Sequence, residues 1–538
     1  MFLSLTRWID RNILELGREM RLSYLPPLMV YVAAGVSSLT GIVGTFFVKD
    51  YLNLSAAFLA TLSFWVVIPW SLKMGLGHIV DLLWRFKSGL LFVGASLIAA
   101  SLLIMVGLVS HRDAMAGVFS VEVWFVVSAL LAPIGYVLQD AVADAMTVEA
   151  VPHIDEQGRA IEPERLKLMH TTMQTLGRVA IIGGSVFVAL LNIYAFSGVQ
   201  HLSEAEKLIR YAQVYTLALG IPLVSVAGVA VAAWLHARDT RRLIEQGFTK
   251  AQAHAALNAH IELVTPNWTI LLGSLVFVMF TLTMGLSRVK YGQEIIFVGS
   301  MTIIIFLMSR LTRDLDPQMR STLVGTALVI FFFRAIPTPG PGVTWWLIDE
   351  LKFDQQFFSI LSLVGSVLSL LGMFIFRRFM AEKSIVYIVG TLTIFGTLLA
   401  LPTLGMVHGL HHWTAAMTGG VVDARVIALI DTALESPLGQ VAMIPMLAWI
   451  ARSAPDNLKA TYFAVMASFT NLALSLSQLG TKYLNQIFEI TRATKTATAQ
   501  STANYTELGP LLLTTICLGF AMPFIAIAIV KLTRFKSN

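Results

Sequence analysis

Residues Val121–Val148 read VEVWFVVSALLAPIGYVLQDAVADAMTV. A bilayer is crossed by about 20 mostly apolar residues at 1.5 Å rise each, so this run is long enough. Yet its second half carries two carboxylates, Asp140 and Asp144. Ionisable groups are costly in lipid and are kept where they face a bundle interior or a wet cavity. Four residues apart on a helix, the two share one face. Desolvation and mutual repulsion then favour holding a proton between them, which suits a proton carrier. The alternative is permanent pairing with Lys73 or Arg178 as a structural ion cluster.

The rest of the chain has the same character. Of 538 residues, 56% are hydrophobic and 13% charged, and the mean hydropathy is +0.74. Soluble domains have roughly 25% charged residues. Too few polar groups remain to cover a water-facing surface, which excludes a soluble multidomain enzyme. The single cysteine, Cys517, excludes an internal disulfide framework and a cysteine-ligated metal cluster. Apolar stretches of spanning length number about 14. With both termini cytoplasmic, the inner loops receive roughly 24 Lys and Arg against about 9 outside, as the positive-inside rule requires. The net charge of +6 is therefore topological, and no nucleic-acid partner is implied. The expected location is the cell (inner) membrane. Residues 1–23 lack the continuous apolar core of a signal peptide and read as an interfacial helix or as a solvated helix entering the first span.

An internal echo organises the spans. Lys49-Asp50-Tyr51-Leu52-Asn53-Leu54-Ser55 follows the first, and Ile348-Asp349-Glu350-Leu351-Lys352-Phe353-Asp354 follows the ninth. The best division is a six-helix half over 24–236, a cytoplasmic linker over 237–266, two inserted helices over 267–311 and a second six-helix half over 312–538. This is the plan of the major facilitator superfamily, in which the substrate path lies between halves that rock against each other. The expected fold is thus all-α, integral to the membrane, with two inserted helices to which no chemistry is assigned. Gly77-His78-Ile79-Val80-Asp81, followed by Arg85 and Lys87, is a degenerate form of that superfamily's loop motif. There a carboxylate at a helix end pairs in only one of two conformations, making Gly77, Asp81 and Arg85 gating candidates.

Other polar residues lie where lipid is expected. Lys73 either snorkels to the interface or faces the path. Arg178 is too deep to snorkel easily. Arg334 precedes Pro337-Thr338-Pro339-Gly340-Pro341-Gly342, a break whose freed backbone groups favour a neighbouring cavity. Asp431 and Glu435 repeat the four-residue spacing in the second half, with Glu435 the rough counterpart of Asp140. Asn471 and Gln478 share a helical face and serve either a ligand or helix packing. Trp345 and Trp346 offer a stacking surface for a flat ring or simply pack. His408, His411 and His412 have no acidic or cysteine companion, so no metal is assigned. Without a phosphate-binding glycine loop, direct ATP drive finds no support, and no cofactor is expected. No nucleophile–base constellation points to an enzyme.

The run from Tyr136 to Glu149, containing Gln139, Asp140 and Asp144, resembles the fourth-span signature of the folate–biopterin transporter family. So does Pro69-Trp70-Ser71-Leu72-Lys73 with Gly77 and Asp81. The stretch Arg334-Ala335-Ile336-Pro337 leading to Asp349-Glu350-Leu351-Lys352-Phe353 looks like that family's opening of the second half. The resemblance implies a carrier of folates or pterins, often moved with protons or by exchange. Lys73, Arg178 and Arg334 would complement carboxylates, while Gln139 or Asp140 would meet an amino-pyrimidine edge. Proton coupling falls to Asp140, Asp144 and Glu435, and substrate binding to Lys73, Gln139, Arg178, Arg334, Asn471 and Gln478. The expected partners are a folate- or pterin-like anion, protons and the lipid bilayer. A non-transporting assembly or pigment-binding factor of the same fold, or a drug or peptide carrier, remains the alternative.

Overall fold

The computed structural model describes residues 15–52, 54–71, 73–83, 86–152, 161–257, 266–287, 289–313, 316–439, 441, 459–492 and 502–533. Among them every regular element is helical, apart from an isolated bridge between Thr491 and Asn504. Grouped by the division expected from the sequence, the first half contains α1 (Leu25–Val36), α2 (Gly41–Tyr51), α3 (Ala56–Ser71), α4 (Lys73–Leu82), α5 (Lys87–Ser110), α6 (Val121–Ala150), α7 (Pro163–Ala195), α8 (Glu204–Ala218) and α9 (Gly220–Glu245). An inserted pair follows, α10 (Trp268–Leu286) and α11 (Gly292–Leu311). The second half comprises α12 (Pro317–Arg334), α13 (Gly342–Asp349), α14 (Gln355–Ile375), α15 (Ile385–Leu399), α16 (Leu401–Val407), α17 (Ala424–Glu435), α18 (Lys459–Ile487) and α19 (Leu508–Leu532).

Helix starts follow local chemistry. Ser120 caps α6 by accepting from the Val123 N–H, and Asp354 caps α14 by accepting from Phe357. A capping box between Ser203 and Glu206 opens α8. Each satisfies a backbone donor that the first helical turn leaves without an internal partner.

Ten helical stretches among the described residues are long and apolar enough to cross a membrane. Four expected spans are not among them: residues 54–80, 321–346, 421–450 and 458–488. The first is described as α3 and α4, with residue 72 outside the described residues. The second is interrupted after Arg334. The third is described only as far as Gly439, with Val441 beyond, and α18, in the fourth, is rich in Ser, Thr, Asn and Gln. The start of the expected linker at 237 is helical, because α9 continues to Glu245. Of the expected N-terminal helix, residues 1–14 lie outside the described residues, and Glu15–Arg18 is helical.

Within the first half α1 packs on α7 and α9, and α5 on α6. Gly35 and Gly184 let the α1 and α7 backbones meet, since a Cβ on Gly184 would lie 3.0 Å from the Gly35 Cα. Such small-residue contacts drive helix association where lipid offers no hydrophobic gain. Gly41, by contrast, faces open space. Two seams join the halves, α3 and α4 against α18, and α7 against α14. The inserted pair lies along the first seam, with α10 against α4 and α11 against α18. Consecutive residues of α11 hold opposite halves. Gln293 donates to the Thr61 carbonyl at 3.1 Å, and Glu294 accepts from Lys482 at 2.8 Å and Tyr483 at 2.5 Å.

At the end carrying the α2–α3 turn, here termed the far end, apolar side chains of both halves mix. Phe46 and Phe358 meet edge to face with centroids 5.9 Å apart. Ala56 is buried with Trp345 and Trp346.

Candidate functional site

Four helices of the first half bring charged and polar groups together. Pro69 sits inside α3, and Lys73 is carried by α4. Its Nζ lies 2.5 Å from Asp140 Oδ2 and 2.6 Å from Asp144 Oδ2. From α1, the Tyr31 hydroxyl donates to Asp144 Oδ1 at 2.8 Å. From α7, Arg178 interacts electrostatically with Asp140. The Tyr31 ring is held against Gly177, where a Cβ would lie 2.8 Å from it. Fully ionised, two cations and two anions balance. Asp144 keeps 42% of its side chain accessible and Lys73 19%, so protein does not fully enclose the cluster.

The second half contributes Arg334, at the C-terminal end of α12. Its guanidinium donates to Asn471 Oδ1 at 3.4 Å, and Asn471 Nδ2 donates to the Trp70 carbonyl at 3.0 Å. Two contacts thus lead from Arg334 across the α3–α18 seam to Trp70, three residues before Lys73 in the sequence. Asn471 therefore bridges the halves as a packing group, and a ligand would have to compete for its amide.

The backbone groups freed by the break after Arg334 are met by one face of α18. Ser477 donates to the Ile336 carbonyl at 2.7 Å, Thr481 accepts from the Thr338 N–H at 3.0 Å, and Asn485 donates to the Pro339 carbonyl at 3.2 Å. These residues recur every four positions and form a polar stripe that replaces the missing helical hydrogen bonds. Gln478 is half-buried on the same helix. Trp345 is likewise engaged, with the Arg492 guanidinium 4.7 Å from its ring centre.

Gln139 points away from the Lys73 cluster. It is buried between α5, α6 and α9, donating to Ser225 Oγ at 3.0 Å and towards the Leu91 carbonyl at 3.4 Å. Position 139 is one step from 140, about 100° around a helix. Glu435 is exposed at the end of α17, near Asp431, which accepts from Thr403 at 3.3 Å. Among the described residues no contact joins that acidic pair to Lys73. Gly77 lies within α4, where the neighbouring His78 Nε2 accepts from the Asn267 N–H at 2.9 Å. Arg85 and the Asp81 side chain lie outside the described residues, while Lys87 is paired with Glu149. Sequence reasoning gave no role to Tyr31, since a lone tyrosine in an apolar run has no distinguishing signal.

The BT1 family model matches residues 197–534, more than half of the chain. A folate–biopterin transporter from Synechocystis sp. is 32% identical over 158 residues, which are 29% of this chain and 31% of that protein. Among solved structures, a peptide transporter POT in complex with sulfate superposes with a TM-score of 0.58 at 14% identity, covering 96% of this chain and 95% of that one. An auto-inhibited POT family peptide transporter gives a TM-score of 0.57 at 13% identity, covering 96% and 97%. At such identities the likeness speaks for the fold alone. With its apolar helices and this transporter fold, the protein is an integral multi-pass membrane protein, and the chain belongs to the BT1 family, that of the folate–biopterin transporters.

Proposed function

We propose that the protein is a secondary active transporter that works by alternating access and couples a folate- or pterin-like organic anion to protons. The observation carrying this reading is the double engagement of Lys73 by Asp140 and Asp144. With both carboxylates ionised, the ammonium is neutralised twice over and has little left for a solute. Adding a proton to one carboxylate releases part of that charge, and an anionic solute becomes the better partner. Arg178 and Arg334 supply the remaining cations, so proton and anion loading favour one another. The name of the cyanobacterial relative supports the pterin class. The two halves would rock about the α3–α18 and α7–α14 seams, both termini would lie in the cytoplasm, and the host bilayer would be the cell (inner) membrane.

Uptake into proteoliposomes under an imposed pH gradient tests the coupling. Asp140→Asn is expected to abolish gradient-driven accumulation of folate while sparing exchange of preloaded solute. Accumulation that stays fully gradient-driven in this variant would refute the assignment of Asp140.

A further inference from the structure

The echoing segments that follow the first and ninth spans meet in space. Lys49, in the last turn of α2, places Nζ 2.5 Å from Asp349 Oδ1 at the end of α13, so the contact joins one half to the other. Lys49 is only 4% exposed, and Asp50 lies 3.3 Å from the same ammonium. The other Asp349 oxygen accepts from the Tyr505 hydroxyl at 2.6 Å. Arg492, also 4% exposed, donates to the Leu52 carbonyl of the first half while lying over Trp345 of the second. Gln355 of α14 adds a cross-half bond, donating to the Tyr211 hydroxyl of α8 at 2.5 Å.

These groups lie at the far end, away from the Lys73 cluster, and the proton-coupled cycle above gives them no task. Two buried cations are a poor choice for gluing halves together permanently. Removing ions from water costs several kcal/mol each, so a buried pair contributes little net stability compared with an apolar contact. The same balance makes the pair reversible, because water entering a parting interface returns the hydration that closure removed. We propose that Lys49, Asp349 and Arg492 form a latch that closes the far end of the path, and that its release admits solute from that side. The latch rests on the alternating-access reading above and adds the residues that gate one entrance.

Distance measurements on the full chain in liposomes test it without any solute. Spin labels at Val118 and Val421, which are 66% and 70% exposed on far-end loops of opposite halves, are introduced with Cys517→Ser. The parent is expected to give a short-distance population. Lys49→Gln and Asp349→Asn should each raise the ratio of far-end-open to far-end-closed molecules at least roughly tenfold. Reversing both charges, Lys49→Asp with Asp349→Lys, should restore the short distance. Unchanged distributions in both single variants, or a double variant as open as the singles, would overturn the latch. Should the charge variants fail to fold, Lys49→Cys with Asp349→Cys provides a second route. Joining these thiols with a short cross-linker should stop uptake until it is cleaved, and undiminished uptake would overturn the proposal. Because the distances are read without solute, a failed latch leaves the coupling assignment standing, and failed coupling leaves the latch testable.

Discussion

Lys73 and Lys49 each lie 2.5 Å from an aspartate, but their partners are distributed differently. Lys73, Asp140, Asp144, Tyr31 and Arg178 all belong to the first half. Lys49 and Asp349 belong to opposite halves. A rigid-body motion of one half against the other preserves the first set and pulls the second apart. The same chemical pair can therefore respond to ligand and proton in one place and to conformation in the other. What separates the roles is where the chain has placed the partner carboxylate.

The largest expected effect comes from removing the cation of the first set. Lys73→Ala leaves two facing carboxylates with Arg178 as their remaining counter-charge and should destabilise the detergent-solubilised protein by about 3–5 kcal/mol, read from its unfolding midpoint. Adding Asp140→Asn and Asp144→Asn should recover most of that stability without recovering transport, because the charges are removed together. Next, Arg334→Ala should weaken an anionic folate roughly tenfold or more while changing a neutral pterin little, since a charge-assisted contact is worth about 1.5–3 kcal/mol. Equal losses for both in competition binding would remove Arg334 from anion recognition. Tyr31→Phe deletes one hydrogen bond to Asp144 and should cost about 1 kcal/mol in stability, with a displaced pH profile of uptake as its distinguishing sign. The smallest change is expected from Glu294→Gln. It weakens a partly exposed pair with Lys482 and should shift stability by about 1 kcal/mol or less. A loss as large as that of Lys73→Ala would mean that the inserted helices are central to folding.

The apolar scaffold was legible because crossing lipid requires long hydrophobic runs whatever they later pack against. The acids of α6 and the cations Lys73, Arg178 and Arg334 were legible for the converse reason, that their burial is costly. Four expected spans fell outside the ten apolar stretches, and they contain Lys73, Arg334, Glu435 and Asn471. In α18 the Ser, Thr, Asn and Gln that make the helix interesting also make it a poor membrane span by composition. Pairing was much less accessible. Nothing local joins Tyr31 to Asp144, 113 residues away, or Arg492 to Leu52, 440 residues away. Gln139 illustrates a different difficulty, since helical phase separates it from Asp140 although the two are adjacent in sequence. The partners of the proline break were equally hidden, because the polar stripe that meets its backbone lies on α18, far along the chain.

Gln293 and Glu294 grip opposite halves from neighbouring positions on a single helix. Under the alternating-access proposal, a seam strapped in this way would stay shut between α3 and α18, and the path would open in turn at its two ends while the inserted pair kept lipid out along its side.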